Sequence, residues 1–294
     1  MNQLNLNNYK QEIADLYTRR SEGYDNSHWH WRIANHLVEY GQVNPGQKIL
    51  DIATGTGHCA IAAAKLMGKT GKVIGIDIAP GMIIQAQNKV QTLSLNNLEF
   101  LLADAENIDF PANHFERIFC ASAFIWMSDL VKSLLLWRKF LKPGGILGIQ
   151  AFAETAFVGG VITQNILEKY GISYLMSKPT GTVEKCQSLL EKANYELIKI
   201  KVEQDGNYIS LEKAQKMWSG TSHPAPGQYP HPLSELSTEQ LKQAKLEFEN
   251  ELKVLQTDQG IWNDITTFYI YGRKPMIEEG NSNDSKYKYQ NIGN

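Results

Sequence analysis

No run in the chain approaches the ~18 consecutive apolar residues that a membrane span requires. No membrane span is expected, and the longest apolar stretches read as buried strands. An excess of one charge is also missing: 29 Lys and Arg stand against 31 Asp and Glu, a formal net charge of −2. Phosphate backbones are normally met by clustered basic surface, so nucleic acid is not an expected partner. Cysteine is scarce. Cys59, Cys120 and Cys186 are odd in number and without CxxC spacing, which argues against a disulfide framework and against a zinc site. No metal is expected. Residues 1–17 are polar and lack a cationic segment followed by an apolar run, so they do not read as a secretory signal, and the expected compartment is the cytoplasm.

The 294 residues are 43% hydrophobic and 20% charged, an ordinary globular balance that supports one elaborated core. Helical spacing places Tyr9, Ile13, Leu16 and Tyr17 on one face, and Ile33, Leu37 and Val38 on another. Between these helices lies a turn-rich segment dense in rings, with Tyr24, Trp29 and Trp31. From residue 46 the pattern changes to short β-branched runs at 48–53, 72–77, 98–104, 117–122 and 145–152. Helical stretches at 58–67, 80–92 and 129–141 separate them, the signature of a doubly wound α/β sheet. The last of these helices is expected to stop at a turn made by Lys142, Pro143, Gly144 and Gly145.

Further on, a helix is predicted near 182–193, a strand around 195–204 and a long helix at 238–256. Ser237 and Gln240 form a capping box for the long helix, whose buried stripe reads Leu241, Ala244, Phe248, Leu252 and Leu255. The predicted organisation is an N-terminal helical lid (1–45), a core (46–154), and a helix, sixth strand and helical substrate cap (155–260). A final strand (261–275) and a disordered tail (276–294) complete it.

The strongest signal is the run Asp51, Ile52, Ala53, Thr54, Gly55, Thr56, Gly57, in which a strand passes through a glycine turn into a helix. Small residues let the backbone approach a ligand, and the helix start offers free N–H groups to an anion. By itself this is ambiguous, because Gly55-x-Gly57-x-x-Ala60 with Asp77 further on also fits a nicotinamide dinucleotide site. Three features oppose an NAD-dependent oxidoreductase. Asp51 sets a carboxylate beside the ligand, where a diphosphate is repelled and a cationic amino acid moiety is welcome. Asp104 and Ala105 end the third strand, where a carboxylate and a backbone N–H can read the edge of an adenine. The Lys-Pro-Gly-Gly turn then leads into the fifth strand.

With these motifs, residues 43–152 resemble the class I methyltransferases that use S-adenosylmethionine (SAM), most closely the small-molecule branch that includes the ubiquinone and menaquinone C-methyltransferases. The resemblance implies a seven-stranded Rossmann-like sheet of order 3-2-1-4-5-7-6, the last strand antiparallel, with a helical lid. It also implies SAM as cofactor: Ala53, Thr54, Gly55 and Gly57 shape the loop, Asp51 lies near the amino acid moiety, and Ser122 joins the cofactor residues. Asp77 holds the ribose, Ile78 and Met82 pack on adenine, and Asp104 with Ala105 recognises its edge. Ala53 departs from the glycine many members carry. After the fourth strand the chain lacks the Asn/Asp-Pro-Pro-aromatic motif of enzymes that methylate amide or exocyclic amino nitrogens. Phe124, Trp126 and Met127 instead predict an apolar wall beside the methyl group.

Histidine is the side chain best placed to act as base near neutral pH, and His58, His30 and His223 are the candidates. Tyr24, Trp29 and Trp31 are predicted to close over cofactor and acceptor. The expected activity is in-line methyl transfer to O, N or C of a small, largely apolar or aromatic metabolite. A quinone-biosynthesis C-methyltransferase and a non-catalytic SAM-fold protein remain open as alternatives.

Overall fold

The computed structural model describes residues 4–26, 28–93, 95–173, 177–218 and 232–276. Two helices lead in: α1 (Asn8–Arg20), whose first turn is capped by the Asn7 side chain, and α2 (His28–Tyr40). A 3-10 segment, Ser21–Asn26, joins them. The core then alternates β1 (Lys48–Ile52), α3 (His58–Met67), β2 (Lys72–Asp77), α4 (Pro80–Leu93), β3 (Leu98–Leu102), β4 (Phe115–Cys120), α5 (Leu130–Phe140) and β5 (Leu141–Phe152). It is followed by α6 (Val158–Lys169), α7 (Val183–Lys192), β6 (Glu196–Glu203), β7 (Gly206–Ile209), α8 (Leu211–Gln215), α9 (Thr238–Val254), β8 (Ile261–Asp264) and β9 (Thr267–Arg273).

Seven strands form one sheet in the order β3-β2-β1-β4-β5-β9-β6. The first five run parallel, and β9 inserts antiparallel between β5 and β6. Counted along the sheet's own strands this is the expected 3-2-1-4-5-7-6. Parallel strands are buried on both faces, and Leu50 and Ile52 face one core while Ile49 faces the other. The strand order reverses between β1 and β4. At such a switch point the carboxyl ends of the strands leave a crevice.

Three details depart from the sequence pattern. The Lys-Pro-Gly-Gly segment is not a free turn but a bulge inside β5, between the pairs Phe115–Leu141 and Arg117–Ile146. There the Gly144 N–H donates to the Lys274 carbonyl, and the Lys274 N–H donates to Gly145. Residues 261–275 hold two strands, because β8 pairs with β7 in a separate ribbon stabilised by Tyr208 against Trp262. The α9 capping box is present with both of its hydrogen bonds, but only Ala244, Phe248 and Leu252 are buried, while Leu241 and Leu255 are exposed. These three lie on one i, i+4 line, the width that contact with α6 and α8 covers. Together with Ile162, Ile166 and Trp218 they form a third hydrophobic cluster. Among the described residues no helix is long and apolar enough to cross a membrane. The tail beyond 276 lies outside the described residues.

Candidate active site

The loop after β1 is built on backbone that few side chains tolerate: Ala53, Gly55 and Gly57 all have positive φ, at 51°, 56° and 88°. At Gly57 a Cβ would meet the Phe100 ring at 2.8 Å, so glycine is required there on two counts. The turn is fixed from below. The Thr54 N–H donates to the Ile76 carbonyl, and the Gly57 N–H to Thr54. Asp51, 1% exposed, accepts at Oδ2 from the Thr54 hydroxyl and the Ala60 N–H, while its Oδ1 is buried without a partner. Burial raises its pKa to about 7, against the lowering effect of hydrogen bonds from Thr54, Cys59 and Ala60. A buried acceptor with spare capacity, beside a small-residue cradle, suits a cationic ligand group.

Asp77 ends β2 with both oxygens in use: the Gly55 N–H reaches Oδ2 at 2.8 Å and the Ala79 N–H reaches Oδ1 at 2.9 Å. Burial moves its pKa to about 6, although these backbone donors oppose the rise. Each carboxylate oxygen keeps a further lone pair for a hydroxyl. Asp77 and Ile78, together with Asp104, Ala105, Trp126 and Met127, line a cleft. The α1 side chains Tyr9, Lys10 and Ile13 close it. Lys10 Nζ donates to Asp104 Oδ2 at 2.7 Å and also pairs with Glu106, and the Tyr9 hydroxyl donates to the Trp126 carbonyl. The cleft thus offers Asp77 as an acceptor for ribose hydroxyls and Asp104 at an adenine edge, while the unpartnered Asp51 oxygen lies buried against the adjoining loop, a set that fits an adenosyl amino acid.

The aromatic segment sits over this loop. The Tyr24 ring lies 3.9 Å from where a Gly55 Cβ would point, His30 stacks on Tyr24 at 4.1 Å and on Trp29 at 3.6 Å, and Trp29 meets Phe152 at 5.8 Å. Burial lowers the His30 pKa to about 4, helped by the nearby charges of Arg20 and His58, so the ring is neutral. Asp25 anchors the segment by accepting from the Thr56 hydroxyl at 2.6 Å, facing His58 Nε2 at 2.8 Å and pairing with Lys89. Burial alone would raise Asp25, but Lys89 and Thr56 outweigh it and hold its carboxyl below the ordinary range.

Several expected site residues take other places. His58 is engaged through Nε2 by Asp25 as part of this latch, and burial and Lys89 lower its pKa, which keeps the ring neutral. Met82 is 1% exposed and packs inside the fold instead of lining the cleft. Phe124 is core, against Trp137. Trp31 is 55% exposed and points away from the roof formed by its neighbour Trp29. Ser122, at φ 57°, gives its hydroxyl to Gln150 Oε1 at 2.7 Å. His223 lies outside the described residues. Lys10, Asp25 and Gln150 were not foreseen, because single polar residues on a helix, a turn and a strand carry no spacing signal.

Residues 43–215 match the family described as "Methyltransferase domain". An aklanonic acid methyltransferase from Streptomyces sp. (strain C5) is 30% identical over 198 residues, 63% of this chain and 87% of that protein. A ubiquinone/menaquinone biosynthesis C-methyltransferase from Shewanella frigidimarina is 31% identical over 150 residues, 48% of this chain and 59% of that enzyme. Among solved structures, a SAM-dependent methyltransferase from Aquifex aeolicus aligns with a TM-score of 0.54 and 17% identity, covering 87% of this chain and 98% of that one. The [4+2]-cyclase SpnF aligns at 0.52 and 16%, covering 84% and 81%. At such identities the likeness is one of fold, shared by proteins with different reactions.

Proposed function

This chain belongs to the methyltransferase-domain family, a SAM-dependent methyltransferase of the small-molecule kind, and from that premise we propose that it methylates a largely apolar or aromatic metabolite bound beneath the Tyr24–His30–Trp29–Phe152 rings. SAM, when bound, supplies a methyl group on a sulfonium for in-line displacement. The chain's own part is to orient the two reactants and exclude water. In this reading Asp77 takes the ribose hydroxyls, Asp104 and Ala105 the adenine edge, and Asp51 with the loop backbone the amino acid end.

The observation that carries the acceptor assignment is the ring stack itself, which begins at Gly55 in the cofactor loop and ends on β5. Stacked rings bind flat apolar ligands and keep water from the transfer path. The relatives' names, an aklanonic acid methyltransferase and ubiquinone/menaquinone biosynthesis C-methyltransferases, support a small-molecule acceptor. Transfer to a ring carbon, as in the quinone enzymes, is a second reading, favoured by the engagement of His58 Nε2 with Asp25, which takes up the ring nitrogen that would otherwise face an acceptor's hydroxyl.

Methyl-labelled SAM offered with hydroxynaphthoates, anthraquinone carboxylates and quinols tests both readings by mass spectrometry of the products. Label in these acceptors supports the assignment, and mild alkali, which removes ester methyls only, separates ester from ring products. Label confined to protein, nucleic acid or polar amines would overturn it.

A further inference from the structure

Gln150 is a buried polar side chain in this region that the cofactor assignment does not use. It is 1% exposed, its Oε1 accepts the Ser122 hydroxyl, and its Nε2 is buried without a hydrogen-bond partner. Buried amide donors are rarely left so, and the Ser122 bond sets the amide with its N–H groups turned away from Ser122.

The sheet register locates it. Ile52 pairs with Cys120 and Cys120 with Ile149, so the next residues along, Ala53, Ala121 and Gln150, stand side by side at the carboxyl edge. Alternation places Gln150 with Phe152, opposite Tyr269, on the face whose core is shared with α2 and α3. Leu147, Ile149 and Ala151 face the other core. Phe152, two residues on, is where the ring roof ends. A donor lacking a partner therefore lies on the same strand as the end of the roof, level with the cofactor loop.

Resting on the acceptor reading above, we propose that Gln150, held by Ser122, donates a hydrogen bond to an oxygen carried by the acceptor's ring system, so that the enzyme selects aromatic acceptors bearing a carbonyl, phenol or carboxylate next to the methylated position.

The probes are 1-hydroxy-2-naphthoate and unsubstituted naphthalene, titrated into protein saturated with S-adenosylhomocysteine. The wild type is expected to bind the oxygenated probe about tenfold or more tightly than naphthalene, the scale of one buried hydrogen bond to a charged or polar oxygen. Gln150→Met keeps the volume and removes the donor. It should abolish the preference and leave naphthalene and S-adenosylhomocysteine binding unchanged, and Tm should move little, because the relief of an unpartnered buried Nε2 is set against the loss of the Ser122 hydroxyl's acceptor. Ser122→Ala, the milder change, should reduce the preference in part. A preference that survives in both variants, or a wild type without one, overturns the proposal while leaving the acceptor reading in place. Failure of both probes to bind overturns the acceptor reading as well.

Discussion

His58 Nε2 lies 2.8 Å from Asp25 Oδ1, so the first helical residue after the cofactor loop is joined to the segment that roofs it. Thr56 and Lys89 hold the same carboxylate. One aspartate thereby couples the 3-10 segment Ser21–Asn26 to the loop, α3 and α4. Asp25→Ala should release this segment: SAM affinity falls roughly three- to tenfold and protease cleavage within residues 21–26 quickens, with little change in Tm. His58→Gln keeps a donor and should hold kcat within about twofold. A loss of about 100-fold or more, the size of a missing general base, would return His58 to catalysis.

Ala53 tests what the loop tolerates. An alanine at positive φ costs roughly 1–2 kcal/mol, against which stand up to about 0.8 kcal/mol for its partly buried methyl and ~0.5–1 kcal/mol for glycine's extra freedom when unfolded. These nearly cancel. Ala53→Gly should therefore change the unfolding free energy, read from the urea midpoint at constant slope, by no more than about 0.5 kcal/mol, whereas Ala53→Val, β-branched at positive φ, should cost more than about 2 kcal/mol. Equal stability of the two variants would show the loop to be unstrained.

The acidic groups give the cofactor site a pH dependence of definite sign. Asp51 and Asp77 titrate near 7 and 6 in the folded chain, and their carboxylate forms are the ones that accept from a ligand's ammonium and hydroxyl groups. SAM affinity should weaken as pH falls through 7 and then 6. In the free protein the sign reverses: both carboxyls are raised, so the stability they contribute is present at low pH and is lost as pH rises through those values. Calorimetric Kd between pH 8 and 5 checks this, with Asp77→Asn expected to remove the step near 6. An unchanged profile in that variant would contradict the assignment.

Much of this architecture was legible because local rules and the global fold agree. The bounds of α3 follow from the glycine turn before it and Gly68 after it, and the Ser237–Gln240 capping box announces α9. The cofactor loop reads directly because its chemistry is contiguous in sequence. What escaped was set by docking between distant segments. Lys10 meets Asp104 across the fold, and Asp25 meets Lys89 through α1's packing on α4, neither with a periodic signature. Helix α6 begins with Gly159 and Gly160, which weaken its helical signal, and β7 and β8 are too short to show alternation. Trp29 and Trp31 are equivalent in composition, and only the turn of α2 separates the one in the roof from the one in solvent.

The account rests most on Asp77 as the anchor of SAM, and a calorimetric titration of SAM into wild type and Asp77→Ala measures that directly. Removing hydrogen bonds from hydroxyls to a carboxylate should cost roughly 1.5–3 kcal/mol, a loss of about tenfold to 150-fold in affinity. Asp104→Ala should lose less, since its carboxylate is already shared with Lys10. SAM binding at wild-type strength by a folded Asp77→Ala protein would contradict the account.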